Sequence, residues 1–144
     1  MKFRFETILR INKNREDLVK RELGVINTHL QKQQDHLQLM EKTSEQSTDD
    51  LNSRLRVGID INFMRLYDDF FNGIKYQESR QKKIISEVEA RLEGTRKKLV
   101  EAMRKRRIME ILKEREFAAF KKEQEKRENM FLDETAANMG RRES

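Results

Sequence analysis

A heptad repeat of apolar residues runs along the first third of this 144-residue chain. Alternating steps of four and three residues lead from Phe5 to Leu51, and nine of these 14 positions are apolar. A stripe kept over about six heptads is typical of a helix that buries one narrow coiled-coil seam. The positions are Phe5, Leu9, Asn12, Glu16, Val19, Leu23, Ile26, Leu30, Gln33, Leu37, Met40, Ser44, Ser47 and Leu51.

The composition favours long helices over a compact globular core. Charged residues make up 40% of the chain, against about 25% in typical domains. There is no proline, the residue that most strongly breaks a helix, which also suits long helices. The chain also has no cysteine, which excludes disulfides, thiolate metal sites and thiol nucleophiles.

The segment "RVGIDINF", residues 56–63, is the best turn candidate in the chain. Gly58 can adopt positive φ, and Asp60 and Asn62 favour turns and helix N-caps. A second, less regular stripe follows the turn. It comprises Phe70, Ile74, Gln77, Gln81, Ile84 or Ile85, Val88, Leu92, Thr95, Leu99, Ala102, Met109, Leu112 and Phe117.

Two stripes joined by a turn predict an all-α fold, a long antiparallel two-helix coiled-coil hairpin that forms a single domain over residues 1–144. We expect helices at about 3–55 and 64–138, a turn at about 56–63 and a frayed tail at 139–144. A parallel dimer of one unbroken helix could use the same stripes, but it would leave the turn residues without a purpose.

An antiparallel hairpin also predicts which seam residues face each other. Leu51 should lie opposite Phe70, Met40 opposite Gln81, and Leu9 opposite Leu112. The second helix is the longer one, so we expect residues 121–137 to extend past the end of the first.

Charge is unevenly distributed along the chain. Residues 96–127 hold 13 basic and six acidic side chains, whereas residues 44–78 hold four and seven. The basic run Arg96–Arg107 could contact phosphates or lie on a membrane surface. Zipper-type DNA-binding proteins, however, place such a run before their heptads, and here it lies within them. We therefore expect a solvated coiled-coil flank that can dock an acidic protein surface, and no nucleic-acid partner.

Nothing in the sequence points to an enzyme, a cofactor or a metal. His29 and His36 are about 10.5 Å apart along a helix, too far to share one ion. There is no glycine-rich phosphate loop. No signal peptide and no transmembrane segment are recognised, so we expect a soluble, intracellular protein.

An aromatic cluster just after the turn permits two interpretations. Tyr67, Phe70 and Phe71 fall within five positions, next to a polar stretch of the seam. They could form an exposed anchor for a partner, or they could simply close the end of the hairpin.

Three segments of the chain together resemble the FliJ family of flagellar type III export proteins. They are "FRFETILRINKNREDLVKREL" at the start, "INFMRLYDDFFNGIKYQ" after the turn, and "AMRKRRIMEILKEREFAAFKKEQEKRENMFLDETAAN" towards the end. The resemblance implies a cytoplasmic coiled coil at the flagellar base that acts like the stalk of a rotary ATPase and is not itself an enzyme. The implied partners are the hexameric export ATPase FliI, the export gate protein FlhA and the chaperones of flagellar substrates. Association with the membrane would be through these partners only.

The resemblance also implies two contact surfaces. The gate contact of the family lies near the turn of the hairpin, which here points to Met40, Ser44, Ser47, Leu51, Phe70, Ile74, Gln77 and Gln81. The contact with the ATPase ring points to basic residues of the paired terminal segments, Arg4, Arg10, Arg15, Arg104, Arg106 and Arg107. If the resemblance does not extend to function, the alternative is a generic basic coiled-coil adaptor or a nucleic-acid-binding protein.

Overall fold

The computed structural model describes residues 2–143, which form two long helices and, over that range, no strand. Helix α1 spans Glu6–Val57 and helix α2 spans Ile61–Glu143. Residues 2–18 and 99–143 form one compact unit, here called the terminal unit, and residues 19–98 form another, the central unit. In each unit a segment of α1 packs against a segment of α2, so the predicted antiparallel hairpin is confirmed. That the whole chain is one domain stays a prediction.

The connection between the helices is shorter than the sequence predicted, because only residues 58–60 lie between them. Gly58 has a φ of 103°, and its N–H donates to the carbonyl of Arg54 at 3.0 Å. A glycine in this conformation ends a helix without the steric cost that a Cβ would add. Asp60 precedes the first residue of α2, and its carbonyl accepts from the N–H of Met64 at 3.0 Å.

The seam predicted for α1 is the seam that the structure has. All the predicted positions from Phe5 to Leu51 are buried or half-buried, and every other side chain of α1 is exposed. This agreement includes the polar residues Asn12, Glu16 and Gln33, which follow the heptad spacing although their chemistry does not suggest burial.

The seam of α2 departs from the prediction at both ends of the stripe. Phe71, Glu78 and Ile111 are half-buried, whereas the predicted Phe70, Gln77 and Leu112 are exposed. Phe117 is exposed as well. Because 3.6 residues per turn do not fit a strict seven-residue repeat, the side chain that faces the partner helix shifts by one position along the stripe.

The core of the central unit is an aliphatic cluster of Ile26, Val88 and Leu92, with Leu23, Leu30 and Ile84 packed against it. Gln81 lies in the same seam and is buried. Its amide nitrogen donates to the carbonyl of Gln33 at 2.9 Å and to the Gln33 side-chain oxygen at 2.7 Å. The sequence predicted that Gln81 would face Met40. Gln81 instead bonds to Gln33, which lies one heptad before Met40. The long side chain bridges the seam and keeps its amide satisfied, which a contact with the thioether of Met40 would not do.

The core of the terminal unit contains fewer buried apolar side chains than the core of the central unit. Leu9 is only 2% exposed, and Phe3 and Ala102 are buried. From Phe117 onwards every described side chain of α2 is exposed except that of Thr135, whose hydroxyl donates to the carbonyl of Phe131 at 2.8 Å. This exposure is expected of a helical segment without a helix beside it.

Helix α2 continues to Glu143, beyond the predicted end at residue 138. Residues 139–143 contain no proline, and Gly140 is the only weak helix former among them. Nothing local therefore ends the helix where the sequence placed a frayed tail.

Candidate functional surfaces

The predicted gate-contact residues lie in the central unit, but most of them face the seam. Met40, Ser44, Ser47, Leu51 and Ile74 are half-buried, and Gln81 is buried and bonded to Gln33. Only Phe70 and Gln77 are exposed. A partner that binds here would therefore reach these two side chains directly, while the others support the helix pair beneath them.

The aromatic cluster after the turn both closes the helix pair and leaves an apolar surface. Tyr67 and Phe71 stack with their ring centroids 6.2 Å apart, and both are half-buried. Phe70 meets Phe71 edge-on at 5.8 Å and is 41% exposed. Phe63 and Leu66 are also exposed. We call Phe63, Leu66 and Phe70 the tip surface.

Polar contacts hold the tip surface in place. The Tyr67 hydroxyl donates to Asp50 Oδ2 at 2.5 Å, and Arg54 Nε lies 3.3 Å from the same oxygen. The hydrogen bond to Asp50 raises the pKa of Tyr67, since it stabilises the protonated phenol. The Arg54 guanidinium also lies 5.3 Å from the Phe63 ring centroid, at cation–π distance.

In the terminal unit, one predicted contact residue is part of the seam. The Nε–H of Arg106 donates to Glu16, and its Nη1 donates to Glu110 Oε1 at 2.9 Å. Arg106 is half-buried and Glu16 is buried. The side chain of Arg106 is thus committed to carboxylates of its own chain, so it is poorly placed to meet a partner.

The ion network of Arg106 continues onto the surface of α2. Arg107 Nη1 lies 3.3 Å from Glu110 Oε2 and 3.4 Å from Glu114 Oε1. The hydrogen bond from Arg106 lowers the pKa of Glu110, and Arg107 adds to this effect against the opposing desolvation. Glu110 and then Glu16 raise the pKa of Arg106 by hydrogen bonding.

The other predicted basic residues of the terminal unit are accessible. Arg4, Arg10, Arg15 and Arg104 are exposed. The Arg4 guanidinium lies 6.0 Å from the Phe5 ring centroid. No ion pair within residues 2–143 involves Arg10, Arg15 or Arg104.

Two other kinds of site, a metal-binding cluster and a membrane-spanning segment, are absent from residues 2–143. Among residues 2–143, no three His, Cys, Asp or Glu side chains are arranged to hold a metal ion. Neither helix contains, within those residues, a stretch apolar enough to cross a lipid bilayer.

Comparison with models of known protein families finds a match over the whole chain. The family model described as "Flagellar FliJ protein" matches residues 1–144. Neither a curated protein nor a solved structure is significantly similar to the chain.

Proposed function

Since the chain belongs to the FliJ family of flagellar export proteins, we propose that it is the stalk-like coiled coil of the export apparatus. In this role it binds the hexameric ring of the export ATPase FliI and the export gate protein FlhA, and it escorts substrate chaperones. It works on the cytoplasmic face of the flagellar base, reaches the membrane only through these partners, and catalyses no reaction itself. The family match over the whole chain is the observation that carries the proposal.

The contact with the ATPase ring is assigned to the exposed basic residues of the terminal unit, Arg4, Arg10, Arg15, Arg104 and Arg107. Guanidinium groups suit such a contact because they bind carboxylates through two parallel hydrogen bonds. Arg106 is removed from this set and given a positioning role, since it binds Glu16 and Glu110. It holds the two helices in register beneath the contact surface.

The contact with the export gate is assigned to the tip surface together with Gln77. Exposed aromatic and aliphatic side chains supported by a fixed scaffold are typical anchors of protein–protein contacts. The half-buried residues from Met40 to Leu51 act indirectly, because they pack against the helix that carries Phe70.

The proposal is tested with purified FliI. The rate of ATP hydrolysis and the fraction of hexamer are measured with and without this protein, and both should rise when it is added. If the rate of ATP hydrolysis and the fraction of hexamer do not change when this protein is added, the stalk role is contradicted.

The basic surface of the terminal unit also allows the alternative function, a nucleic-acid-binding coiled coil. Binding to a DNA or RNA oligonucleotide is measured over a series of salt concentrations. Tight binding whose logarithm falls steeply with the logarithm of salt concentration would favour the alternative, because each phosphate contact releases a counterion.

A further inference from the structure

An open groove on the flank of the central unit has no role in the proposed function. Its volume is ≈ 900 Å³, and it is formed by one face of α1 together with a side chain from α2. The residues that line it include Arg21, Gly24, Val25, His29, Lys32 and Arg91. None of them belongs to the predicted gate or ATPase contacts.

Gly24 opens the groove because it contributes no side chain at its centre. Residues three and four positions apart share one face of a helix, so Arg21, Gly24 and Thr28 lie in a row. A Cβ placed on Gly24 would meet no atom within 4 Å. The Thr28 hydroxyl donates to the carbonyl of Gly24 at 3.0 Å and is thereby held against its own helix.

The groove is basic, because Arg21, Lys32 and Arg91 line it. No carboxylate lines it. Within residues 2–143, neither Arg21, Lys32 nor Arg91 takes part in an ion pair. Asp35, three residues after Lys32, instead accepts a hydrogen bond from Gln31 at 2.9 Å. Three cations in one lining that contains no carboxylate make the groove complementary in charge to an acidic ligand.

The groove also offers apolar surface. Val25 is 69% exposed, and the buried Ile26 lies at the wall nearest the core. A ligand that matches this surface must combine carboxylates with small apolar side chains. An amphipathic acidic helix has this combination, because its apolar and acidic residues recur at the same helical spacing as the groove residues.

Nucleic acid fits the groove less well. Arg21 and Lys32 are separated by 11 residues along α1, a rise of about 16 Å, so the cations cover only a short stretch of a phosphate backbone. The lining contains no Phe, Tyr or Trp, so only the imidazole of His29 is available for a base to stack on.

We propose that this groove is a docking site for an acidic amphipathic helix of a partner protein, held by Arg21, Lys32 and Arg91 around the gap left by Gly24. The partner's carboxylates pair with the three cations, and its small apolar side chains rest on Val25 over Gly24. This lateral contact would leave the tip surface and the terminal unit free for other partners.

The test uses a synthetic helical peptide with glutamate and leucine at helical spacing, labelled for fluorescence anisotropy. The full chain should bind this peptide, and a peptide with glutamine in place of glutamate should bind about tenfold more weakly or not at all. The Arg21→Glu/Arg91→Glu variant should lose at least about tenfold in affinity. Arg80→Glu/Lys83→Glu, which changes the net charge equally elsewhere in the central unit, should bind like the wild type.

A second variant tests the gap itself. Gly24→Leu keeps every charge and replaces glycine by a better helix former, so the helix should be retained while the side chain fills the groove. Its affinity for the peptide should fall about tenfold, whereas Gly94→Leu, at another glycine with open space around it, should leave binding unchanged. Circular dichroism checks that both variants are helical.

Three outcomes would overturn the proposal. The wild type could fail to bind the acidic peptide, or Gly24→Leu and the charge-reversal variant could bind it as well as the wild type does. A DNA oligonucleotide could bind more tightly than the peptide and depend on the same residues, which would assign the groove to nucleic acid. None of these results alters the expected effect on FliI, so the proposed function is tested separately.

Discussion

Glu16 of α1, only 3% exposed, accepts a hydrogen bond from the guanidinium of Arg106 on α2. These residues are 90 positions apart in the chain, and both lie in the seam of the terminal unit. A buried carboxylate is costly unless it is paired, so this contact penalises any register in which Glu16 lacks its arginine.

The first prediction concerns the stability of this pair. Arg106→Met should lower the melting temperature, because it leaves the Glu16 carboxylate buried without its arginine. Arg104→Met, which removes an exposed cation two residues away, should change it little. The double variant Glu16→Leu/Arg106→Met should recover most of the loss, since two apolar side chains can share the seam. A double variant no more stable than Arg106→Met would contradict the view that the loss arises from the Glu16 carboxylate deprived of Arg106.

The burial of Leu9 in the core of the terminal unit predicts how much its truncation changes the free energy of unfolding. Leu9→Ala should lower the free energy of unfolding by about 2–3 kcal/mol, because Leu9 is 2% exposed and its truncation leaves a cavity. Ile8→Ala removes a similar side chain that is 46% exposed, and it should cost less than about 1 kcal/mol. Urea unfolding followed by circular dichroism measures both. Equal losses would mean that the seam is not packed around Leu9.

Replacing Gly58 and Gly73 by alanine should change the stability of the protein in opposite directions. Gly58→Ala should destabilise the protein by about 1–2 kcal/mol, because its φ of 103° is unfavourable for a residue with a Cβ. Gly73→Ala should stabilise it by up to about 1 kcal/mol, since Gly73 lies inside α2 and an added Cβ meets nothing within 4 Å. Thermal unfolding of the two variants is the measurement. A stabilising Gly58→Ala would rule out the left-handed turn.

The ion network also predicts a pH dependence. Hydrogen bonding by Arg106 and Arg107 lowers the pKa of Glu110 from its ordinary value of 4.5. A carboxyl whose pKa is lower in the folded state adds stability above its unfolded pKa, and this contribution is lost as the pH falls through the folded value. The melting temperature should therefore fall on acidification below about pH 4.5. In the Glu110→Gln variant, the melting temperature should fall less on acidification than in the wild type. Glu125→Gln, at an exposed position, should show the same dependence of melting temperature on pH as the wild type.

The two proposed contact surfaces should be separable by mutation. Arg104→Glu/Arg107→Glu should weaken binding to FliI about tenfold and leave binding to FlhA intact, because it reverses exposed charges of the terminal unit only. Phe70→Ala should weaken binding to FlhA and spare FliI. Lys82→Glu/Lys83→Glu serves as the control of equal charge change. If either variant lost binding to both FliI and FlhA, the division into two surfaces would be contradicted.

For the candidate surfaces, the sequence indicated regions better than individual side chains. Phe70 and Gln77 were proposed as contacts and are exposed, but they were also expected to face α1, which they do not. Arg106 was chosen by its charge alone, and the structure shows that it is bound to Glu16 and Glu110. The basic groove around Gly24 was missed, because Arg91 joins it from the other helix and no spacing within α1 reveals that.

The amino-acid sequence by itself determined the two helices, the turn at Gly58 and the whole seam of α1. These features depend on periodicity within one helix and on the backbone freedom of one glycine, so neighbouring residues are sufficient to specify them. Only the tertiary structure decided that Phe71 rather than Phe70 turns inward, that Gln81 bonds to Gln33, and that Arg106 meets Glu16. Each of these choices depends on residues far apart in the chain. Which side chains of one helix face the seam is fixed only when the other helix packs against it.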